Sequence, residues 1–170
     1  GGRARHMTIS QAAQAERAKN FHYLRTIDDV LAIRSRFQAG QRLVVIGGGY
    51  VGLEVAASAI ARDLNVTVLE ALPRVLARVT APEMSAFYEQ VHRNAGVDLR
   101  TNIEVTGLDF GAEGDVVTGV HCTGGVLIPA DLVVVGIGLL PNTELAQAAG
   151  LDVDNGIVVD AHAVTSDPDI

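Results

Sequence analysis

Hydrophobic residues run along the chain in two rhythms. Leu43-Val44-Val45-Ile46 and Leu132-Val133-Val134-Val135 are unbroken apolar runs of β-formers, and Asn65-Val66-Thr67-Val68-Leu69 is nearly so. Such runs belong to strands buried on both faces of a parallel sheet. Between the runs at 43 and 65, Val55, Ala56, Ala59 and Ile60 recur at helical spacing, so the local order is strand, helix, strand. Pro82-Glu83 opens another helical stretch through Met84, Phe87, Tyr88 and Val91, with Gly96 as its stop. Val97 to Arg100 alternates, as does Ile103 through Phe110.

Val116 to Val120 and Val126 to Ile128 flank Gly124-Gly125 as a hairpin, so the block of about 103–128 is antiparallel and inserted between parallel elements. Upstream, Thr26-Ile27-Asp28-Asp29 is an acidic capping box with Thr26 as N-cap. The helix it opens carries Val30, Leu31, Ile33 and Phe37, with Gly40 as the expected stop. Gly156 to Asp160 predicts a further short strand, whereas residues 1–24 are weakly patterned and predict an extended or loosely packed lead-in. The fold class is α/β: a Rossmann-like parallel sheet with helices on both faces and an inserted antiparallel hairpin or meander.

Composition narrows what such a fold can do. The chain has 170 residues, 48% apolar and 19% charged, which is globular and enough for one core. A net charge of −7 disfavours nucleic acid, and no apolar run reaches the length of a membrane span. The first residues are not followed by the apolar stretch of a secretory signal, so a cytoplasmic location is expected. Cys122 is the only cysteine and reads as a packed strand residue rather than a catalytic thiol. The histidines, His6, His22, His92, His121 and His162, show no metal-ligand spacing.

The turn after the first apolar run carries the chemistry. Gly47, Gly49 and Gly52 form G-x-G-x-x-G between strand and helix, and Glu70 ends the next strand. That is the context a dinucleotide-binding turn requires, with the acid about 20 residues on. Gly47 permits the sharp turn, Gly49 a close approach to pyrophosphate, and Gly52 tight packing of helix on sheet. The free N–H groups and positive dipole end of the helix face the phosphates. Glu70 can accept from both adenosine ribose hydroxyls and would repel a 2′-phosphate, which favours NAD over NADP. Arg74 and Arg78 follow it and weaken that preference. The turn alone does not separate NAD from FAD or S-adenosylmethionine. Gly136-Ile137-Gly138, at the carboxyl end of another strand, offers bare backbone where a ligand would lie. The chain shows no Tyr-x-x-x-Lys pair, no G-x-S-x-G elbow and no convincing histidine–carboxylate base, so binding is visible without chemistry.

Further segments carry a resemblance. They are Tyr23-Leu24-Arg25-Thr26, Val45 to Glu54, Arg74-Val75-Leu76-Ala77-Arg78-Val79, Pro129 to Val133, Gly136-Ile137-Gly138 and Asp152 to Val158. Over nearly its whole length the chain resembles the NADH-binding domain of FAD-dependent pyridine nucleotide oxidoreductases, on the ferredoxin reductase branch. The resemblance implies NAD(H) contacts from Gly47, Gly48, Gly49, Tyr50, Val51 and Gly52, and from Gly136, Ile137 and Gly138. It places Glu70 at the adenosine ribose, Arg78 at the adenine end, Glu54 as a carboxylate near the nicotinamide, and Arg25 against FAD in the parent. Residues 1–24 would lead in from an FAD domain, 25–160 would bind NAD, and 161–170 would start the return. The implied partner is a 2Fe–2S ferredoxin reached through the parent. The chain alone is expected to bind NAD(H), hold no FAD and catalyse nothing. The alternatives are a stand-alone NAD(H)-binding or sensing module and, less favoured, a methyltransferase using S-adenosylmethionine.

Overall fold

The computed structural model describes residues 1–170. In chain order its first elements are β1 (Gly2–Ala4), α1 (Ala12–Ala15), β2 (Phe21–Tyr23), α2 (Ile27–Arg34), β3 (Arg42–Ile46), α3 (Tyr50–Ile60) and β4 (Asn65–Leu69). They are followed by α4 (Pro82–Asn94), β5 (Asp98–Arg100), β6 (Val105–Phe110), β7 (Val117–Cys122), β8 (Val126–Pro129), β9 (Leu132–Val135), β10 (Leu139–Pro141) and α5 (Glu144–Ala148). No helix is long and apolar enough to cross a membrane. Two compact units result: His6–Gly138, and Gly1–Arg5 together with Leu139–Ile170.

In the larger unit the strand order is β2-β9-β3-β4-β5, parallel at every pairing. The unbroken apolar runs become β3 and β9, each with neighbours on both sides. Alternation then divides their side chains between two cores. Leu43, Val45, Leu132 and Val134 pack with Ile33 of α2, Leu53, Ala56 and Ala59 of α3, and the half-buried Tyr88 of α4. Val44, Ile46, Val133 and Val135 pack on the other face with Leu108, Val120 and Ile128 of the antiparallel sheet β6-β7-β8 and with Ala15 of α1. The long helices thus cover one face, and the inserted meander with the single-turn α1 covers the other. Each buried Val or Leu in these layers contributes roughly 1.5–3 kcal/mol by leaving water, which makes the doubly covered strands the centre of the fold.

Several local expectations need correcting. The lead-in is not loosely packed: β2 pairs with β9, and Ala15, Ala18 and Phe21 are buried. Small alanines gave no amphipathic signal, yet they fit a close approach to the sheet. The capping box is formed, with Asp29 N–H donating to Thr26 Oγ1 and Thr26 N–H to Asp29 Oδ2. The helix it opens ends at Arg34, well short of Gly40, which instead donates its N–H to Asp63 O. Of its apolar residues only Ile33 is buried, while Val30 and Leu31 are exposed.

In α4 the buried residues are Ser85 and His92, Tyr88 packs half-buried on the core, and Met84, Phe87 and Val91 lie outward. Gly156 to Asp160 forms no strand; a single bridge joins Val153 and Ile157. Within the smaller unit β1 pairs antiparallel with β10, and Arg3 reaches Asn142 Oδ1 and Glu144 Oε1 at 3.1 and 2.6 Å.

Candidate functional site: the glycine-turn cleft

The chain leaves β3 through Gly47, whose φ of +111° places it where only glycine is comfortable. A Cβ there would stand 2.4 Å from Gly136 O, so the turn and the end of β9 touch backbone to backbone. At Gly52 a Cβ would lie 2.0 Å from Gly47 O, which is how tightly α3 seats on the turn. Gly49 is different: a Cβ there would meet no protein atom within 4 Å. Gly49 is also the N-cap of α3, and no side chain caps that end. Its first N–H groups therefore remain for an anion arriving from outside.

That open side is a cleft of about 510 Å³ at the carboxyl ends of β3, β4 and β9. The volume falls in the ordinary range for a small-molecule site. Gly47, Gly48, Gly49 and Tyr50 form one wall, and Gly136, Ile137 and Gly138 another. A smaller cavity of about 350 Å³ sits at the amino ends of the strands, among the Arg42–Asp131 and Lys19–Asp115 ion pairs. The glycine turn opens only onto the larger one.

Glu70 sits in the cleft wall with both carboxylate oxygens engaged. Gly48 N–H donates to Oε2 at 2.7 Å, and Leu72 N–H to Oε1 at 2.8 Å. Each oxygen keeps a further lone pair, so the carboxylate is held in one orientation and can still accept from a diol. The same fixed negative charge opposes a second phosphate at that spot.

The segment after Glu70 folds back over the turn. Leu76 N–H donates to Gly48 O at 2.9 Å, and Leu76 is buried with φ of +53°. A left-handed leucine costs on the order of 1–2 kcal/mol, so the surrounding contacts must hold it there. Arg74 turns its guanidinium away from the cleft, toward backbone carbonyls and Ser85. Arg78 lines the cleft, exposed and in no ion pair.

The residues expected at the site therefore divide. Gly47, Gly48, Gly49, Tyr50, Glu70, Arg78, Gly136, Ile137 and Gly138 come together around the cleft. Gly52 acts from beneath, as the packing residue of the turn. Val51 and Glu54 lie on the exposed side of α3 and do not line the cleft, and Arg25 is exposed at the approach to α2. Residues that pattern reading missed also line it, notably Met7, Ile9, Leu72, Leu76 and Ile103. Met7 arrives because its N–H donates to Tyr23 Oη at 3.0 Å, while His6 stacks on the Tyr23 ring at 4.2 Å. Nothing in the weak patterning of residues 1–24 signals this. Leu72 and Ile103 follow the ends of β4 and β5, the positions where open α/β sheets bind ligands, and that rule could have found them. Cys122 is buried in β7, and burial pushes its thiol up, away from the reactive thiolate form.

A cradle of bare backbone, an uncapped helix start and a fixed carboxylate at the next strand end is the arrangement of a dinucleotide-binding Rossmann unit. The family model for pyridine nucleotide-disulphide oxidoreductases matches residues 1–170, and the chain belongs to that family. Within it the similarity is to ferredoxin reductases. The chain is 55% identical over 168 residues to putidaredoxin reductase CamA of Pseudomonas putida, covering 99% of this chain and 40% of that protein. It is 44% identical to the ferredoxin reductase subunit of the 5,5′-dehydrodivanillate O-demethylase of a Sphingobium species, covering 90% and 37%. Among solved structures, the covalent putidaredoxin reductase–putidaredoxin complex matches with a TM-score of 0.92 at 55% identity, over 99% of this chain and 40% of that one. The ferredoxin reductase of the CYP199A2 system from Rhodopseudomonas palustris matches with a TM-score of 0.87 at 43% identity, over 99% and 40%. The chain thus spans about two fifths of the length of these relatives.

Proposed function

We propose that this chain is the NADH-binding domain of a flavoprotein ferredoxin reductase. The observation that carries the reading is the single cleft shared by the bare turn at Gly47–Gly49 and the immobilised carboxylate of Glu70. Such a cleft fits a dinucleotide with an unphosphorylated adenosine ribose. The space over Gly49 fits the pyrophosphate, with the α3 N–H groups as donors. Glu70 accepts from the ribose hydroxyls, and Arg78 supplies the cation at the adenine end. Gly136, Ile137 and Gly138 present backbone beside the nicotinamide. In the whole protein Glu54, on the exposed side of α3, would be a carboxylate near that ring, and Arg25 would meet FAD.

In the whole protein, NADH held by these residues would be the hydride donor to an FAD outside this chain, and a 2Fe–2S ferredoxin would be the electron acceptor. On this reading residues 1–24 lead in from the flavin domain and 161–170 begin the return to it, around an NAD-binding domain at 25–160. The chain alone holds dinucleotide, holds no FAD and has no turnover of its own.

Calorimetric titration of the 170-residue chain tests the reading. NADH should bind, NADPH should bind at least about tenfold more weakly because of the charge on Glu70, and S-adenosylmethionine should give no heat. A preference for NADPH, or saturable binding of S-adenosylmethionine, would overturn it.

A further inference from the structure

We infer that Arg74 is a positioning residue for the adenosine end of the cleft, acting together with Ser85 through Arg78. The inference rests on the NAD(H) reading above. Arg74 Nη1 donates to Thr80 O at 2.9 Å and to Ser85 Oγ at 2.6 Å, and Nη2 donates to Ala77 O at 3.0 Å. Ser85, buried in α4, donates in turn to Val75 O at 2.6 Å. Two side chains thus gather the carbonyls of Val75, Ala77 and Thr80, three points along one short segment. Thr80 Oγ1 adds a bond to Leu76 O at 3.3 Å.

The same segment makes two contributions to the site. Leu76, in its left-handed conformation, bonds Gly48 O. Arg78 stands in the cleft wall two residues further on, with no partner of its own to hold it. Leu76 is tied to the turn by its own bond to Gly48 O, so what the knot fixes is the backbone on either side of Arg78, at Ala77 and Thr80. A planar guanidinium reaches three acceptors in different directions, which a lysine ammonium on a flexible stem does not reproduce. Neither Arg74 nor Ser85 lines the cleft, so any effect on ligand must pass through the segment.

The test uses the 170-residue chain and the variants Arg74→Ala, Arg74→Lys, Ser85→Ala, Arg78→Ala and the Arg74→Ala/Arg78→Ala double. Affinities for NADH and ADP-ribose are measured beside a thermal melt of each protein. Arg74→Ala, Ser85→Ala and Arg78→Ala should each weaken both ligands by a similar factor, roughly tenfold for one lost charge-assisted contact. The double variant should bind no more weakly than Arg78→Ala alone, although its melting temperature keeps the full drop caused by Arg74→Ala. Arg74→Lys should stay weak. Wild-type affinity in folded Ser85→Ala and Arg74→Ala, full recovery in Arg74→Lys, or multiplying losses in the double variant would overturn the inference. Should Arg74→Ala fail to fold, Ser85→Ala and Arg78→Ala decide it. If the wild-type chain binds neither ligand, the NAD(H) reading falls and this inference with it. If wild type binds and the variants match it, only the inference falls.

Discussion

Gly49 and Gly52 are two glycines of one motif with opposite reasons for being glycine. A methyl group at Gly52 would sit 2.0 Å from Gly47 O, so Gly52→Ala must push α3 off the turn. It should cost about 1–3 kcal/mol, as overpacking does, seen as a lower urea midpoint. At Gly49 the added methyl meets no protein atom within 4 Å, and φ of −81° suits any residue. Gly49→Ala should therefore leave the melting temperature unchanged while weakening NADH at least about tenfold, because the methyl occupies ligand space. If it unfolds the protein, or binds NADH like wild type, the separation of roles is wrong. These glycines were legible in the sequence because a turn, a close approach and a packed helix each demand one. Leu76 was not legible: a left-handed leucine follows from contacts made after folding, and no local pattern announces it.

Helix α4 shows how an element can be read correctly while its orientation is not. Its start at Pro82 and its length follow from the sequence, but the stripe of Met84, Phe87 and Val91 faces outward, with Phe87 60% exposed. Ser85 turns inward to bond Arg74 and Val75, and Tyr88 packs on the core, so tertiary hydrogen bonds override the hydrophobic stripe. His92 also turns inward, and burial lowers its pKa below the usual 6.5. His22 shifts the same way, through burial first and then the Arg36 charge. Folding disfavours the protonated form of both, so the unfolded chain takes up protons first as the pH falls below 6.5. Their contribution to stability is thus complete above that value and is lost as the pH drops through their lowered folded values. The free energy of unfolding should hold from about pH 8 to 7 and decline below about 6.5, and His92→Gln should reduce that decline. An unchanged slope in His92→Gln would remove His92 as a cause.

At the scale of the molecule, the parallel sheet with its antiparallel insert was legible because unbroken apolar runs and a glycine-linked hairpin leave few arrangements. The outer strand β2 was not, since its burial depends on partners more than a hundred residues away. Asn20 makes that link: buried, its Nδ2 donates to Val117 O at 2.7 Å and Asp131 O at 2.9 Å, and its Oδ1 accepts from Val117 N–H at 2.8 Å. Asn20→Ala leaves those backbone groups without partners and should cost about 2–4 kcal/mol, measured by urea unfolding. A loss below about 0.5 kcal/mol would mean that the tie is dispensable.

The location of the cleft is tested most directly by mapping amide shifts as NAD⁺ is titrated into the ¹⁵N-labelled chain. The shifts should concentrate at Gly47–Tyr50, Glu70, Leu72 and Gly136–Gly138, the backbone that lines the larger cavity. Saturable shifts confined to Lys19, Arg42 and Asp131 around the smaller cavity, or none at all, would contradict the assignment.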